Sequence, residues 1–270
     1  MGPYLVYPGY VLLVSLSLRS GDRLFTKSRA LFTHLSSRLA LSSLEILAYE
    51  PTELGILCLR RRELLGESGT IVTEVTLDHE FLMSSYLVDS EQALARVAIE
   101  MHGGDALDVL VGGLGLGYTA HEALAGATVK RLEVVEFLPQ VIDWLDRGLV
   151  PLAKELKGNE RLSIIQGDVY ARLTQPQISD TQYDLILIDV DHSPDDCLGD
   201  ASAGFYTSKG LTQARGHLAA GGVLGVWSSA ESSPFADAMR SVFDEVRIEQ
   251  VTVWNPLIDE EQTDWLFFGQ

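Results

Sequence analysis

The stretch VLVGGLGLGYT, from Val109 to Thr119, places four glycines between an apolar run and a segment with helical character. A strand that ends in a glycine-rich turn and continues into a helix is typical of nucleotide-binding α/β domains. Glycine lets the backbone approach a ligand closely, and a helix N-terminus offers unpaired N–H groups. We therefore predict that Gly113, Gly115 and Gly117 bind a ligand.

The spacing of these glycines fits two ligand classes. Gly113-x-Gly115-x-Gly117 is the spacing of adenosylmethionine sites, whereas Gly115-x-Gly117-x-x-Ala120 fits the pattern of nicotinamide dinucleotide sites. A tight turn without any ligand is a third interpretation. The choice among them depends on the residues that follow the next strands.

Two acidic residues follow the next two predicted strands. Glu136 ends the second strand, where a carboxylate can accept hydrogen bonds from both ribose hydroxyls of an adenosine ligand. Asp168 follows the third strand, where an acid can contact the adenine amino group. Solvated strand-end acids are the alternative interpretation. Glu136 fits either nucleotide class, and Asp168 favours an adenosylmethionine-type ligand.

The segment DVDHSPDD, Asp189 to Asp196, follows an apolar run that predicts the fourth strand. Ligands of open α/β sheets bind at the carboxyl ends of the strands, so Asp189 is the predicted base or orienting group for an attacking amine. His192 is a second candidate base. Asp191 is a third, although for Asp191, Asp195 and Asp196 we favour a solvated loop that also caps the next helix. Acid clusters also bind divalent cations, but a calcium-loop spacing is missing, so we expect no metal.

Beyond Gly103 the chain alternates between apolar strands and helices. The predicted strands are 108–112, 129–136, 162–166, 184–189 and 223–228, and the predicted helices start at 118 and cover 139–149 and 211–218. Continuous Val, Ile and Leu runs that alternate with helices indicate a parallel sheet covered on both faces. Two last strand segments, 245–253 and 264–268, predict a C-terminal antiparallel hairpin. The predicted fold is therefore α/β, a doubly wound, Rossmann-like sheet of the class I methyltransferase type.

The chain divides into three predicted parts. Residues 44–104 contain short apolar runs separated by turn residues, which predict a small β-rich domain, and end in a linking helix capped by Ser90. Residues 105–270 form the predicted nucleotide-binding domain. Residues 1–43 carry five Lys or Arg against one acid, and eight serines. For this extension a transit peptide, a mis-assigned start and a disordered tail remain open.

Composition excludes several classes of protein. The 270 residues carry 20 Lys and Arg against 38 Asp and Glu, a net charge of -18, and the only tight basic group is Arg60-Arg61-Arg62. A phosphate backbone would repel such a chain, and we expect neither a nucleic-acid nor a membrane partner. The two cysteines, Cys58 and Cys197, indicate neither a disulfide framework nor a zinc site. We expect a cytoplasmic protein.

The glycine loop together with Glu136, Asp168 and Asp189 resembles the spermidine synthase (polyamine aminopropyltransferase) family. The likeness runs from Leu77 to Ser228 and is strongest to bacterial spermidine-synthase-like proteins whose fourth strand ends in Asp-Val-Asp. The resemblance implies a homodimer with a methyltransferase-like domain, and S-adenosylmethionine or its decarboxylated form as donor. It also implies that Glu136 binds ribose, that Asp168 binds adenine, and that Asp189 prepares an amine to attack the sulfonium carbon.

The sequence departs from this family where the amine is recognised. Leu116 stands where the family's Gly-Gly-Gly-Asp-Gly has the acid that holds the aminopropyl amine. The family's Asp-Glu-x-x-Tyr-(His/Gln)-Glu stretch falls near residues 87–93, where only Gln92 is retained. A buried cation without a counter-charge binds poorly. The nucleotide-binding residues are thus kept, whereas the amine-binding residues are largely replaced.

The leading hypothesis is a transferase that binds an adenosylmethionine-type sulfonium and transfers an aminopropyl group to an amine, in polyamine biosynthesis. An S-adenosylmethionine-dependent methyltransferase is the second interpretation, because intact adenosylmethionine carries a carboxylate that can use backbone N–H groups. A non-catalytic protein that binds an adenosyl ligand is the third. A nicotinamide dehydrogenase has the least support.

Overall fold

The structure is a computed structural model that describes residues 44–64, 67, 69–175, 182–197 and 202–270. The three interpretations of residues 1–43 lie outside the described residues. The described residues form two β-sheets, the first small and antiparallel, the second large and mostly parallel.

The small sheet is a four-stranded antiparallel meander in the segment that was predicted to be β-rich. Its strands are β1 (Leu44–Thr52), β2 (Gly55–Glu63), β3 (Ile71–Leu77) and β4 (Glu80–Ser84), paired in that order. The turn between β3 and β4 consists of Asp78 and His79, whose φ angles are 48° and 73°. Two consecutive residues with positive φ give the twist that a two-residue hairpin needs.

Glu74 binds two residues of the basic triplet across the small sheet. Arg60 Nε donates to Glu74 Oε2 at 2.9 Å, and Arg62 Nε donates to Glu74 Oε1 at 2.7 Å. Arg61, on the other face of β2, donates to the Leu149 carbonyl at 2.9 Å. Glu74 is buried, so it needs these partners. All three guanidinium groups therefore bind groups of the protein itself.

Helix α1 (Asp89–His102) links the two sheets. It ends at Gly103, whose left-handed conformation lets its N–H donate to the Ile99 carbonyl at 3.0 Å. The prediction that Ser90 caps this helix is wrong. The helix starts one residue earlier, and the buried Ser90 hydroxyl contacts the Asp264 carboxylate instead.

The large sheet has seven strands in the order β10-β11-β9-β8-β5-β6-β7. The strands are β5 (Leu107–Gly112), β6 (Val129–Glu136), β7 (Leu162–Gln166), β8 (Tyr183–Ile188), β9 (Leu218–Ser228), β10 (Val246–Asn255) and β11 (Glu260–Gly269). β5 to β9 are parallel, and β11 runs antiparallel to both β9 and β10. The predicted α/β fold with a C-terminal hairpin is confirmed.

In the described part of the chain, six helices accompany the large sheet. They are α2 (Tyr118–Leu124), α3 (Pro139–Asp146), α4 (Ala153–Leu156), α5 (Val169–Leu173), α6 (Ser208–Arg215) and α7 (Ser233–Arg240). The helix expected at 211–218 starts at Ser208, because Thr207 caps it by accepting from the Gly210 N–H at 3.2 Å. Among the helices that the structure describes, none is long and apolar enough to cross a bilayer.

Both faces of the large sheet are buried, because successive side chains of a strand point to opposite sides. One core contains Val109, Leu185 and Val223, and the other contains Leu110, Ile186 and Leu224. The order of the sheet reverses at β5, which has β6 on one side and β8 on the other. Open α/β sheets bind ligands at the carboxyl ends of the strands at such a reversal.

Candidate functional site

A pocket lies at the reversal point, between the small sheet and the carboxyl ends of the large sheet. The small sheet and its hairpins contribute apolar residues to the wall, namely Leu54, Leu57, Val75, Leu82 and Met83. The large domain contributes the glycine loop, apolar and aromatic side chains, and four carboxylates, Glu136, Asp168, Asp189 and Asp191. The pocket is mostly apolar with a few convergent polar groups, which is typical of small-molecule sites.

The glycine loop is shaped by two close approaches. Gly113 has φ 91°, and a Cβ there would lie 2.2 Å from the carbonyl oxygen of Asp189. Gly117 has φ 93°, and a Cβ there would lie 2.5 Å from Leu156 Cδ1. Only glycine fits at either position. Gly113 and Gly115 line the pocket, whereas Gly117 begins helix α2 and packs against α4 outside the pocket wall.

Glu136 is held in one orientation by the backbone around it. Its Oε2 accepts from the Leu114 N–H at 2.8 Å, and its Oε1 accepts from the Leu138 N–H at 2.7 Å. Burial raises the pKa of this carboxyl, and the backbone donors partly offset the shift. The backbone groups of Gly115 and Phe137 also favour its charged form, so four backbone groups surround this carboxylate at the pocket wall.

Asp168 caps helix α5 at the edge of the pocket. Its Oδ1 accepts from the N–H groups of Tyr170 at 2.8 Å and Ala171 at 3.0 Å. Its Oδ2 accepts no hydrogen bond from the residues that the structure describes. The capping bonds fix the side chain and leave one oxygen for a ligand.

Asp189 lies directly after β8, where its N–H donates to the Gly112 carbonyl at 2.9 Å. Its Oδ2 accepts from Thr119 Oγ1 at 2.7 Å. The pKa of Asp189 is raised to about 6, chiefly by burial and further by the charge of Asp264, while the Thr119 hydrogen bond lowers it. Asp189 therefore changes charge near neutral pH and borders the pocket, as a general base requires.

Asp191 is buried rather than part of a solvated loop. Its Oδ2 accepts from Tyr170 OH at 2.7 Å and from Tyr206 OH at 2.9 Å, and the two phenol oxygens are 2.7 Å apart. The expectation of a solvated Asp191 is wrong, because the aromatic rings of α5 and of the segment before α6 cover it. Asp191 is part of the pocket wall, and its carboxylate accepts hydrogen bonds from two tyrosine hydroxyls.

The part of this loop after Asp191 lies apart from the pocket. His192 is not among the residues of the pocket wall, and its backbone carbonyl accepts from the N–H and the hydroxyl of Ser229, both at 2.8 Å. Asp195 and Asp196 are exposed, as expected for a solvated turn. Within the described residues, no three His, Cys, Asp or Glu side chains are arranged to hold a metal ion.

Asp189 belongs to a group of residues that we name the acid network: Ser90, Glu91, Thr119, Asp189 and Asp264. The roles of Glu91, Thr119 and Asp264 in it were not predicted from the sequence. Ser90 Oγ lies 2.7 Å from Asp264 Oδ2 and 3.0 Å from Glu91 Oε2. Burial and the nearby charge of Asp189 raise the pKa of Glu91 to about 8. The network joins the start of α1, the start of α2, the end of β8 and the strand β11.

Two wall residues also escaped prediction. Trp144, on α3, is buried at the pocket, and its Nε1 donates to Glu50 Oε2 of the small sheet at 3.2 Å. Met83, on β4, faces the glycine loop: a Cβ on Gly115 would lie 3.1 Å from its Sδ. The apolar spacing of α3 is a signal for Trp144, but the position of Met83 depends on how the two sheets pack.

A seven-stranded sheet with a C-terminal antiparallel hairpin, preceded by a small antiparallel sheet that covers its pocket, defines a methyltransferase-like α/β protein with an N-terminal β-sheet. The chain is similar to a spermidine synthase crystallised in complex with the transition-state analogue AdoDATO, with a TM-score of 0.65 and 17% identity over 83% of this chain and 73% of that chain.

It is also similar to spermidine synthase from Thermotoga maritima, with a TM-score of 0.65 and 16% identity over 83% of this chain and 72% of that chain. No family model matches the sequence, and no curated protein matches it. The two structural comparisons show a spermidine-synthase-like fold.

Proposed function

We propose that the protein is a transferase that binds an S-adenosylmethionine-type sulfonium in this pocket and transfers a group from it to an acceptor. One observation carries the proposal: Glu136 at the end of β6, Asp168 after β7 and Asp189 after β8 line one pocket with the glycine loop that follows β5, and these four parallel strands are contiguous in the sheet. Glu136 binds the ribose hydroxyls, Asp168 binds the adenine amino group, and the apolar wall covers the adenine ring.

In this proposal the donor already carries an activated sulfonium carbon, so the protein has to align the acceptor with it and keep the acceptor unprotonated. Asp189 suits this second task, because its raised pKa lets it take a proton from an attacking group near neutral pH. Thr119 holds Oδ2 of Asp189 and thereby fixes the carboxylate toward the pocket.

Aminopropyl transfer to an amine is our first choice of reaction, because the acid network lies beside Asp189 and suits a cationic acceptor. Methyl transfer from intact adenosylmethionine is the second choice, and the position of Leu116 favours it. Leu116 is buried in the hydrophobic core and is absent from the pocket wall, so the loop offers no carboxylate to an aminopropyl amine. A homodimer and a cytoplasmic location remain predictions, which light scattering and cell fractionation would test.

Calorimetric titration of the full chain with adenosylmethionine and with its decarboxylated form tests this function. Tighter binding of the decarboxylated form supports aminopropyl transfer, and preference for the intact form supports methyl transfer. Failure to bind either ligand contradicts the proposal. Asp189→Asn, compared with the exposed control Asp195→Asn, separates an enzyme from a binding protein: an enzyme loses turnover in the first variant and keeps its affinity for the donor.

A further inference from the structure

The hydroxyl of Ser90 has one proton to donate, but two carboxyl groups lie within hydrogen-bond distance of it. Trp227 Nε1 lies 3.0 Å from Ser90 Oγ, and an indole N–H can only donate. Asp264 Oδ2 lies 2.7 Å and Glu91 Oε2 lies 3.0 Å from the same oxygen. The hydroxyl can donate to only one of the two carboxyl groups. The other must carry a proton of its own and donate it to Ser90.

The distances assign this proton to Glu91. The shorter contact, from Ser90 to Asp264, has the length of a hydrogen bond to a charged carboxylate, so the hydroxyl donates there. The lone pair of Ser90 that Trp227 leaves free then faces Glu91 Oε2. A hydrogen bond at this position requires Glu91 to be the donor.

The charges around Glu91 agree with a neutral side chain. The titratable groups that face it are Asp189 after β8, Asp264 on β11 and Tyr118 on α2, all neutral or negative. No Lys, Arg or His of the described residues forms an ion pair with Glu91, Asp189 or Asp264. Three ionised carboxylates without a cation would be costly in so buried a place. The raised pKa of Glu91, about 8, follows from the same crowding.

We propose that Glu91 is a neutral carboxylic acid that donates its proton to Ser90, and that a ligand ammonium group entering beside Asp189 replaces this proton. The second part rests on the proposed function, since it takes the acceptor to be an amine. In this exchange the ammonium binds as a cation, Glu91 becomes a carboxylate that balances its charge, and one proton leaves to solvent. Glu91 thus acts as a counter-charge for the ammonium group of the acceptor.

The acid network suits an ammonium group better than a metal ion. Its carboxyl groups are not arranged to hold a metal. An ammonium group has three N–H donors and can donate to carboxylates in several directions, without a fixed coordination geometry. While the site is empty, neutral Glu91 keeps the negative charge of the acid network low. Glu91 becomes charged only when the cation binds.

Carbon-13 NMR of the side-chain carboxyl groups in the full chain tests the first part. We expect one glutamate signal to titrate near pH 8 in the wild type and in Glu100→Gln, an exposed glutamate of the same helix, and to be missing in Glu91→Gln. If Glu91 titrates in the wild type near pH 4.3, as exposed glutamates do, the proposal is overturned. This result needs no variant to fold.

Titration with 1,4-diaminobutane tests the exchange. At pH 7 we expect the diamine to shift the Glu91 signal to its carboxylate position, and calorimetry in two buffers of different ionisation enthalpy to show about one proton released per diamine bound. Glu91→Gln should release none. Diamine binding without proton release overturns the proposal, and so does a Glu91 signal that the diamine leaves unchanged. Failure of adenosylmethionine to bind would contradict the proposed function and leave the Glu91 titration unchanged.

Discussion

Thr119 Oγ1 lies 2.7 Å from Asp189 Oδ2 and joins the first turn of α2 to the end of β8. A hydrogen bond to the charged form of an acid lowers its pKa. Thr119→Val removes the donor but keeps the shape, so the pKa of Asp189 rises above about 6. We expect the acidic limb of the pH–activity profile to move to higher pH, while Thr119→Ser keeps the wild-type profile. An unchanged profile in Thr119→Val would exclude Asp189 as the titrating base.

Glu136→Gln is expected to weaken adenosyl-ligand binding. The amide loses the charge that strengthens hydrogen bonds to ribose hydroxyls, a loss of about 1.5–3 kcal/mol. That corresponds to roughly 10- to 100-fold in the dissociation constant. Calorimetry should show this loss, whereas the exposed control Glu160→Gln binds as the wild type does. Equal affinity in both variants would remove Glu136 from the site.

The buried acids make stability depend on pH in a defined direction. The pKa of Glu91 is raised from 4.5 to about 8 in the folded state, so its contribution to stability is complete below pH 4.5 and is lost as the pH rises through 8. Asp189, raised to about 6, adds a loss in the same direction at lower pH. Glu91→Gln cannot ionise and keeps a donor for Ser90. At pH 9 its Tm should exceed that of the wild type by several degrees, since each kcal/mol shifts Tm by about 2–4 °C. A higher Tm for the wild type at pH 9 would contradict a protonated Glu91.

Gly113→Ala should lower the free energy of unfolding by more than the cost of a positive φ angle alone. Gly158 also has positive φ, 80°, but a Cβ there meets no atom within 4 Å. Gly158→Ala therefore measures backbone strain, about 1–2 kcal/mol. Gly113→Ala adds a clash with the Asp189 carbonyl, where a Cβ would lie 2.2 Å away. Denaturant unfolding should show a larger loss of unfolding free energy in Gly113→Ala than in Gly158→Ala. Equal losses would mean that the loop moves to relieve the clash.

Asp191→Asn is expected to reduce stability. Asp191 accepts hydrogen bonds from the hydroxyls of Tyr170 and Tyr206, whereas the asparagine amide can place its NH₂ group, a donor, against them. The cost of leaving a buried polar group poorly paired is about 1–3 kcal/mol. Asp195→Asn, four residues further on and exposed, should change the free energy of unfolding by less than about 0.5 kcal/mol. Chemical denaturation of both variants checks this difference, which disappears if Asp191 is solvated.

Local patterns predict the strands of this protein better than they predict its site. β6 and β7 have the predicted bounds, because each contains several Val, Ile or Leu residues and is closed by a turn. Glu136, Asp168 and Asp189 could be found because each follows such a strand. Glu91 and Asp264 could not, because they lie far apart in the chain, and only the pairing of β11 with β9 brings Asp264 beside α1.

Buried polar groups account for the remaining errors. Asp191 has the sequence context of a solvated turn, and only the packing of two tyrosines over it makes it a core residue. Ser90 has the type and position of a helix cap, but a tertiary partner competes for its hydroxyl. In both cases a long-range contact overrides the local preference of the residue.

The strand order β10-β11-β9 constrains the order in which the strands can pair during folding. β11 comes last in the described chain but lies inside the sheet, between two strands that precede it. Until β11 inserts, β9 is an unpaired edge that can recruit strands of other chains. The same insertion delivers Asp264 to Ser90, so the closing of this edge and the completion of the acid network are one event. A chain that has paired β11 with β9 has therefore also completed the acid network.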